Sequence, residues 1–306
     1  MDKTYADTVR LLLAVAPDVF AGDLFAMKGG TAINLFVQDM PRLSVDIDVV
    51  YLPWQTPRDE ALQAINQELA AIATRVARLG MQTRLVRAKD LGDTKLIVEN
   101  DVSQVKIEVN VVFRGSVLPI ERRPLSARTS DLFGVEFALP TLAQDELYAS
   151  KLVAALDRQH PRDLFDVWQL YESGGITDGM VECFVVYLAG HNRPPHEVLF
   201  GNDKNIANEY ERAFVGMTEV DCTLDTLLET RAHLRRELPL QLTPAHQRFL
   251  SGLVRAEPDW SLLQCQHAAQ LPALRWKLSN LETFRKRRPE DFAAQAALLD
   301  AGLAQV

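Results

Sequence analysis

Two aspartates one residue apart, Asp46 and Asp48, open the chemistry of this sequence. If residues 45–49 form a β-strand, successive side chains point to opposite faces. Val45, Ile47 and Val49 then share one face, and Asp46 and Asp48 share the other. Two neighbouring carboxylates repel each other, and a divalent cation relieves that repulsion. A hard ion such as Mg²⁺ takes oxygen ligands, commonly one or two carboxylates together with substrate phosphates. A later segment repeats the pattern: Val105, Ile107, Val109 and Val111 face one way, and Lys106, Glu108 and Asn110 the other. If the two strands are neighbours, Glu108 joins Asp46 and Asp48, and three carboxylates can hold two metal ions for in-line phosphoryl or nucleotidyl transfer. The plain alternative is a one-sided sheet whose polar face is simply solvated.

Upstream, Lys28-Gly29-Gly30-Thr31 precedes a short helix expected over Thr31 to Val37. Paired glycines allow positive φ and close approach of a ligand to the backbone. A helix N-terminus offers free N–H groups and the positive end of a dipole. Together they suit the β- and γ-phosphates of a nucleoside triphosphate, with Thr31 adding a hydroxyl. The bland alternative is a tight turn with a threonine cap.

The elements that must position these groups alternate up to about residue 140 and are helical beyond it. A first helix is expected over Tyr5 to Val15, supporting the site from behind, and a long one over Arg58 to Leu79, closed by Gly80 as a C′ glycine. Strands are expected over Met81 to Ala88, Thr94 to Glu99 and Gln104 to Phe113, with a turn at Asn100-Asp101. Thr141 and Gln144 have the spacing of a capping box for a helix reaching Gln159. His160-Pro161 breaks that helix, and Pro161 suits the first turn of the next, Arg162 to Glu172, which stops at Gly174-Gly175. Further helices fit Thr177 to Ala189, Asn202 to Phe214, Leu224 to Glu237, Pro244 to Arg255 and Ala268 to Lys286, with a last one after Pro289. This divides the chain into residues 1–140 and a helical domain, 141–306.

The bulk composition narrows the class. The chain has 306 residues, 47% of them hydrophobic, and a formal net charge of -8, so any nucleic acid must be met through a local patch. Cys183, Cys222 and Cys265 are far apart and lack metal-ligand spacing, which argues against a zinc site or a disulfide framework. No signal-peptide pattern and no membrane-length apolar run is evident, so the expected compartment is the cytoplasm, with no membrane partner.

Lys28-Gly29-Gly30-Thr31-Ala32-Ile33-Asn34-Leu35 followed by Arg42-Leu43-Ser44-Val45-Asp46-Ile47-Asp48 resembles the first motif of the AbiEii-type nucleotidyltransferase toxins. These belong to type IV-like toxin–antitoxin and abortive-infection pairs, include the mycobacterial MenT toxins, and sit within the DNA polymerase β-like superfamily. A second block, Lys151 to Arg158 then Pro161-Arg162-Asp163-Leu164-Phe165-Asp166, is similar to the family's K-L-x-A … R-x-x-x-R-D-x-x-D signature. The resemblance covers roughly residues 25 to 172. It implies an α+β protein: an N-terminal nucleotidyltransferase-type mixed β-sheet with flanking helices, followed by a mainly α-helical C-terminal domain that contributes Lys151, Arg158 and Asp163 to the site. It implies catalytic roles for Asp46, Asp48, Lys151 and Asp163, and metal ligation by Asp46, Asp48 and Glu108. Nucleotide contacts are implied for Lys28, Gly29, Gly30, Thr31, Ser44, Lys151 and Arg158. Lys151 and Arg158 lie two turns apart on one helix face, with Ala154 between them. Asp163 either orients these cations or takes a proton from the acceptor hydroxyl; Asp166 is expected to partner Arg162.

The resemblance also implies Mg²⁺, with Mn²⁺ as an alternative, an NTP substrate, an RNA acceptor (the 3′ end of tRNA) and a cognate antitoxin. Arg122, Arg123 and Arg128, the stripe Arg231, Arg235 and Arg236, and the run Arg285-Lys286-Arg287-Arg288 are candidate phosphate contacts, although cations also gather at helix C-termini for structural reasons. Trp260 and Trp276 are expected in the core. Two rival readings stay open: the same transfer onto a small molecule or a protein, and a nucleotide-binding interaction protein without turnover.

Overall fold

The computed structural model describes residues 3–87 and 93–306 and divides into two compact units. The first comprises Met1–Leu147 together with Gly216–Asp221; the second comprises Tyr148–Val215 and Cys222–Val306.

The first unit is built on a mixed seven-stranded sheet in the order β3-β4-β5-β2-β1-β7-β6. The strands are β1 (Phe25–Lys28), β2 (Asp46–Tyr51), β3 (Gln82–Arg87), β4 (Asp93–Glu99), β5 (Gln104–Asn110), β6 (Glu121–Pro124) and β7 (Ala138–Thr141). β2 runs parallel to β5, with Asp48 opposite Glu108, and antiparallel to β1, with Asp48 opposite Lys28. The expected alternation is present: Ile47 and Val49 are buried with Val105, Ile107 and Val109, whereas Asp46, Asp48 and Glu108 are half-exposed. α1 (Lys3–Val19) packs on β2 and β5, α3 (Arg58–Ala77) packs on β3 and β4, and a short α4 (Ala127–Phe133) connects β6 to β7. Arg75 of α3 ties α1's end in place, donating twice to the Asp18 carbonyl at 3.0 and 2.8 Å.

Several expected boundaries move for identifiable reasons. The third expected strand stops at Asn110 rather than Phe113, because Asn110 Oδ1 accepts from the backbone N–H of Val112 and of Phe113, both at 2.9 Å, and turns the chain. Ala88, the expected end of another strand, lies outside the described residues. The helix expected from Thr31 begins at Gly29 as α2 (Gly29–Ala32) and continues as a π-helical turn over Ile33–Val37. Thr141 does not cap a helix. It ends β7, where it pairs with Met27, and the helix α5 (Gln144–Asp157) starts without it.

The second unit is helical. After the greater part of α5 come α6 (Pro161–Glu172), α7 (Asp178–Gly190), α8 (Pro195–Leu199), α9 (Ala207–Ala213), α10 (Leu224–Leu240), α11 (Pro244–Val254), α12 (Pro272–Arg287) and α13 (Pro289–Leu303). α7 is its centre: every residue from Met180 to Gly190 is buried, including Glu182, which pairs with His246 at 2.9 Å. Lys277 closes its C-terminal end, donating to the carbonyls of His191, Asn192 and Arg193 at 2.8, 3.2 and 2.9 Å. α9 is shorter than expected because residues 202–204 are held as a loop. Gln159 donates to the Asn202 carbonyl at 2.9 Å and accepts from the Lys204 N–H at 2.9 Å. The helix expected from Ala268 is interrupted by an extended Leu271, and Pro272 starts α12.

Among the described residues, no helix is long and apolar enough to cross a membrane.

Candidate active site

β1 delivers the chain into the glycine turn with Lys28 as its last residue, and the turn lies against β2. Gly29 has φ +76°, and a Cβ there would collide with the Asp48 carboxylate. Only glycine meets both demands, the left-handed backbone and the contact with a carboxylate. At Gly30 a Cβ would sit 2.7 Å from Arg42 Nη2 and 3.2 Å from Ser44 Oγ. The Asn34 amide donates to the Gly30 carbonyl at 2.9 Å. The turn is therefore fixed by Asn34 on one side and by Arg42 and Ser44 on the other.

Thr31 is only 1% exposed. Its hydroxyl donates to the Asp46 carbonyl, and the Ser44 hydroxyl lies 2.9 Å away. With its one proton engaged, Thr31 accepts from Ser44. Thr31 thus ties the glycine turn to the start of β2, an internal role in place of the surface donor expected from sequence. Ser44 remains half-exposed at the edge of this tie.

The loop carrying Arg42 and Ser44 is braced by a segment far along the chain. Gly216–Asp221 returns to the first unit, where the Leu43 N–H donates to the Met217 carbonyl at 2.9 Å and Arg42 bridges Thr218. Arg128 adds an ion pair to Glu219, and its backbone N–H donates to Asp39 at 2.9 Å. Arg42 itself is buried and donates to the Leu43 carbonyl at 2.9 Å. Arg42, Asn34 and the 216–221 segment were not foreseen as site residues. The first two stand inside the first motif, while nothing local in the sequence points to the third.

Asp46, Asp48 and Glu108 share the polar face as the alternation requires. Glu108, however, is paired across the strands with Lys95, Nζ to Oε1 at 2.9 Å. Among the described residues, no group of three or more His, Cys, Asp or Glu is gathered so as to hold a metal ion by itself. Asp46 and Asp48 still offer a donor set suited to a hard divalent cation that takes its remaining ligands from phosphates and water. The glycine that makes room for the Asp48 carboxylate is the observation that fits such a group.

In the second unit, Gln159 takes φ +55° and His160-Pro161 starts α6, which packs on α10. His160 caps α6, its Nδ1 accepting from the Arg162 N–H at 3.2 Å. Lys151 Nζ is then 2.8 Å from Asp163 Oδ1 and 2.9 Å from Asp166 Oδ2. Arg158 Nη2 donates to both Asp163 oxygens, at 3.0 and 2.9 Å. Lys151, Asp163 and Asp166 are buried, and Arg158 is largely exposed. Asp166 therefore partners Lys151, not Arg162 as expected. Burial pushes the Asp163 carboxyl up, and the Lys151 and Arg158 cations outweigh it and hold the group below the usual carboxylate range. A carboxylate so engaged is a poor proton acceptor and a good anchor for two cations.

The remaining basic groups divide by burial. Arg231 is buried and donates to Gln159 Oε1 and to the Lys204 carbonyl at 3.0 and 2.7 Å. Arg235 donates to the Gly201 carbonyl at 2.6 Å and pairs with Asp203 at 2.9 Å. These two brace the 201–204 loop and do not form the exposed stripe expected, although Arg236 is exposed. Arg123 pairs with Glu121. The run Arg285 to Arg288 is exposed at the end of α12, where Arg285 pairs with Glu257 and Arg288 with Asp291. Trp276 is 48% exposed, contrary to the expected core position. Trp260 is half-buried rather than in the core, tilted against Phe249 with ring centroids 5.5 Å apart.

The profile of the family described as nucleotidyl transferase AbiEii toxin, type IV TA system, matches residues 10–280. No curated protein matches the sequence. Among solved structures, MenT4, a nucleotidyltransferase toxin from Mycobacterium tuberculosis H37Rv, is similar with a TM-score of 0.57 and 19% identity, over 89% of this chain and 93% of that one. At that identity the likeness speaks for the fold, a mixed sheet with many helices.

Proposed function

The chain belongs to the AbiEii nucleotidyltransferase toxins of type IV toxin–antitoxin systems, and on that premise we propose that it transfers a nucleoside monophosphate from an NTP to an RNA hydroxyl, at the 3′ end of tRNA, in the cytoplasm and under the restraint of a cognate antitoxin. The reaction joins the acceptor oxygen to the α-phosphorus, breaks the bond from that phosphorus to the bridging oxygen, and releases pyrophosphate, while the hydroxyl proton passes to water. The observation that carries the reading is the contact between Gly29 and Asp48: a left-handed glycine lying against one of two strand carboxylates.

In this reading Asp46 and Asp48 hold a divalent cation, Mg²⁺ or alternatively Mn²⁺, which supplies positive charge to the triphosphate and the departing pyrophosphate. The backbone of Gly29 and Gly30, with Lys28 and Ser44 beside it, binds phosphate oxygens. Thr31 acts one step removed, keeping the turn docked on β2. Lys151 and Arg158 bring positive charge to the nucleotide, and Asp163 orients both rather than accepting the acceptor's proton.

The test is transfer of label from each α-³²P NTP to total RNA. Wild-type protein should label a tRNA-sized band. Asp46→Asn should abolish it while leaving the melting temperature within a few degrees, because Asp46 is half-exposed. Full transfer by that variant would overturn the metal assignment, and label appearing only on small molecules or protein would overturn the acceptor.

A further inference from the structure

Resting on the reading of Arg158 as a nucleotide contact, we propose that Gln159 is a positioning residue for nucleotide binding: its side chain fixes the turn between α5 and α6 and so sets where the Arg158 guanidinium stands.

Arg158, Gln159 and His160 are all that separates α5 from α6. Gln159 takes φ +55°, a left-handed backbone that glycine adopts freely and most other residues resist. Its side chain is 2% exposed, so the amide has to find its partners inside the protein. Nε2 donates to the Asn202 carbonyl at 2.9 Å, and Oε1 accepts from the Lys204 N–H at 2.9 Å and from Arg231 Nη1 at 3.0 Å. The loop that Gln159 grips is itself anchored. Arg231 also donates to the Lys204 carbonyl at 2.7 Å, and Lys204 Nζ donates back to the Asp157 carbonyl at 2.7 Å. The chain is thus clamped on both sides of Arg158, at Asp157 and at Gln159.

Arg158 depends on that clamp. Its side chain is 62% exposed and is paired with Asp163, and an ion pair so open to solvent does little against the rotamer freedom of an arginine. The position of the guanidinium therefore follows the backbone beneath it, and Gln159 fixes that backbone. A non-glycine residue held in the left-handed region by buried hydrogen bonds, next to an exposed cation, is strain kept where function can use it. Gln159 is buried and acts through its neighbour, not on the nucleotide directly.

Equilibrium dialysis of the full chain with each α-³²P NTP and Mg²⁺, without RNA, reads binding apart from transfer. Arg158→Ala should raise Kd about tenfold, the loss of one hydrogen bond to a charged group. Gln159→Gly keeps the left-handed backbone and loses the arm. It should raise Kd about fivefold while Arg158 is present and less than about twofold in the Arg158→Ala background, the non-additivity of a residue that works through another. Where Gln159→Gly melts below the assay temperature, Gln159→Asn, a shorter amide that also tolerates positive φ, takes its place in the cycle. Binding as tight as wild type after loss of the arm would overturn the proposal and leave Arg158 its role. So would an equal loss with and without Arg158, the mark of a general structural effect. An Arg158→Ala protein that binds every NTP as wild type does, or a wild type that binds none, overturns the nucleotide reading of Arg158 and this proposal with it.

Discussion

Replacing Lys151 should unfold the helical unit more readily as well as stop catalysis, and the two effects can be separated. The Lys151, Asp163 and Asp166 side chains are 7%, 5% and 1% exposed. Removing one partner from such a buried pair leaves a charge without compensation, at a cost of roughly 3–5 kcal/mol. Methionine keeps most of the aliphatic stem of Lys151, so Lys151→Met isolates the charge. For a unit of this size each kcal/mol lowers the melting temperature by about 2–4 °C, giving a fall of roughly 6–20 °C. Arg158 still reaches Asp163 at 2.9 Å, so the ion pair lost without replacement is the one between Lys151 and Asp166. Adding Asp166→Asn should therefore restore about half or more of the lost stability, measured by calorimetry. Transfer activity should not return in the double variant, because the ammonium is still missing. A Lys151→Met protein melting within about 2 °C of wild type would refute the buried cluster. Restored activity in the double variant would refute a role for Lys151 on the nucleotide.

Two more outcomes follow from the same geometry. Gly29→Ala should lower stability by about 1–2 kcal/mol for the left-handed backbone alone and cut transfer at least about a hundredfold by displacing Asp48, whereas Gly30→Ala, with no positive φ and only the ends of the Arg42 and Ser44 side chains to shift, should cost less; equal melting of the two variants in a thermal scan would contradict the turn geometry. The depressed Asp163 carboxyl should contribute stability that is complete above its unfolded value of about 3.9 and is lost as pH falls through its lower folded value. Urea unfolding from pH 5.5 to 3 should accordingly show a steeper loss in wild type than in Asp163→Asn, and identical slopes would exclude the pairing.

Strand alternation carried the first half of the site. Because Ile47 and Val49, and likewise Val105, Ile107 and Val109, needed one face for the core, Asp46, Asp48 and Glu108 had to share the other, and they do. The strands that escaped notice have four residues each, too few for a period of two to declare itself. Two of them carry a proline, Pro124 and Pro140, which sequence reasoning takes as evidence against a strand. Thr141 read as a cap because it and Gln144 have the right spacing; pairing with β1 took it instead. The 216–221 brace was illegible for another reason. Its value lies wholly in a contact with residues 42 and 43, and no local pattern encodes so distant a partner.

Charged residues were the harder half, since a cation in the sequence carries no mark of whether water or a carbonyl will meet it. Arg231 and Arg235 look like a phosphate-binding stripe at helical spacing, yet they hold the 201–204 loop. Thr31 looks like a phosphate donor and is an internal tie. Lys95 was passed over, although the alternation that placed Glu108 also pairs Lys95 with it once β4 and β5 are joined. Each of these follows from the cost of burying a charge or hydroxyl without a partner: where the chain buries one, its partners are found within it, and the group is spent on structure. The cations left to meet a substrate are then those, like Arg158, that keep one side anchored and the other in water. Lys151 is the exception, buried and doubly paired. If it serves the nucleotide, the triphosphate must compete with two aspartates for it, and binding should strengthen when one of them is neutralised. Asp166→Asn alone, with Lys151 intact, should therefore lower the Kd for NTP measured by equilibrium dialysis, and a raised Kd would mean that Asp166 holds Lys151 in place for the nucleotide instead of against it.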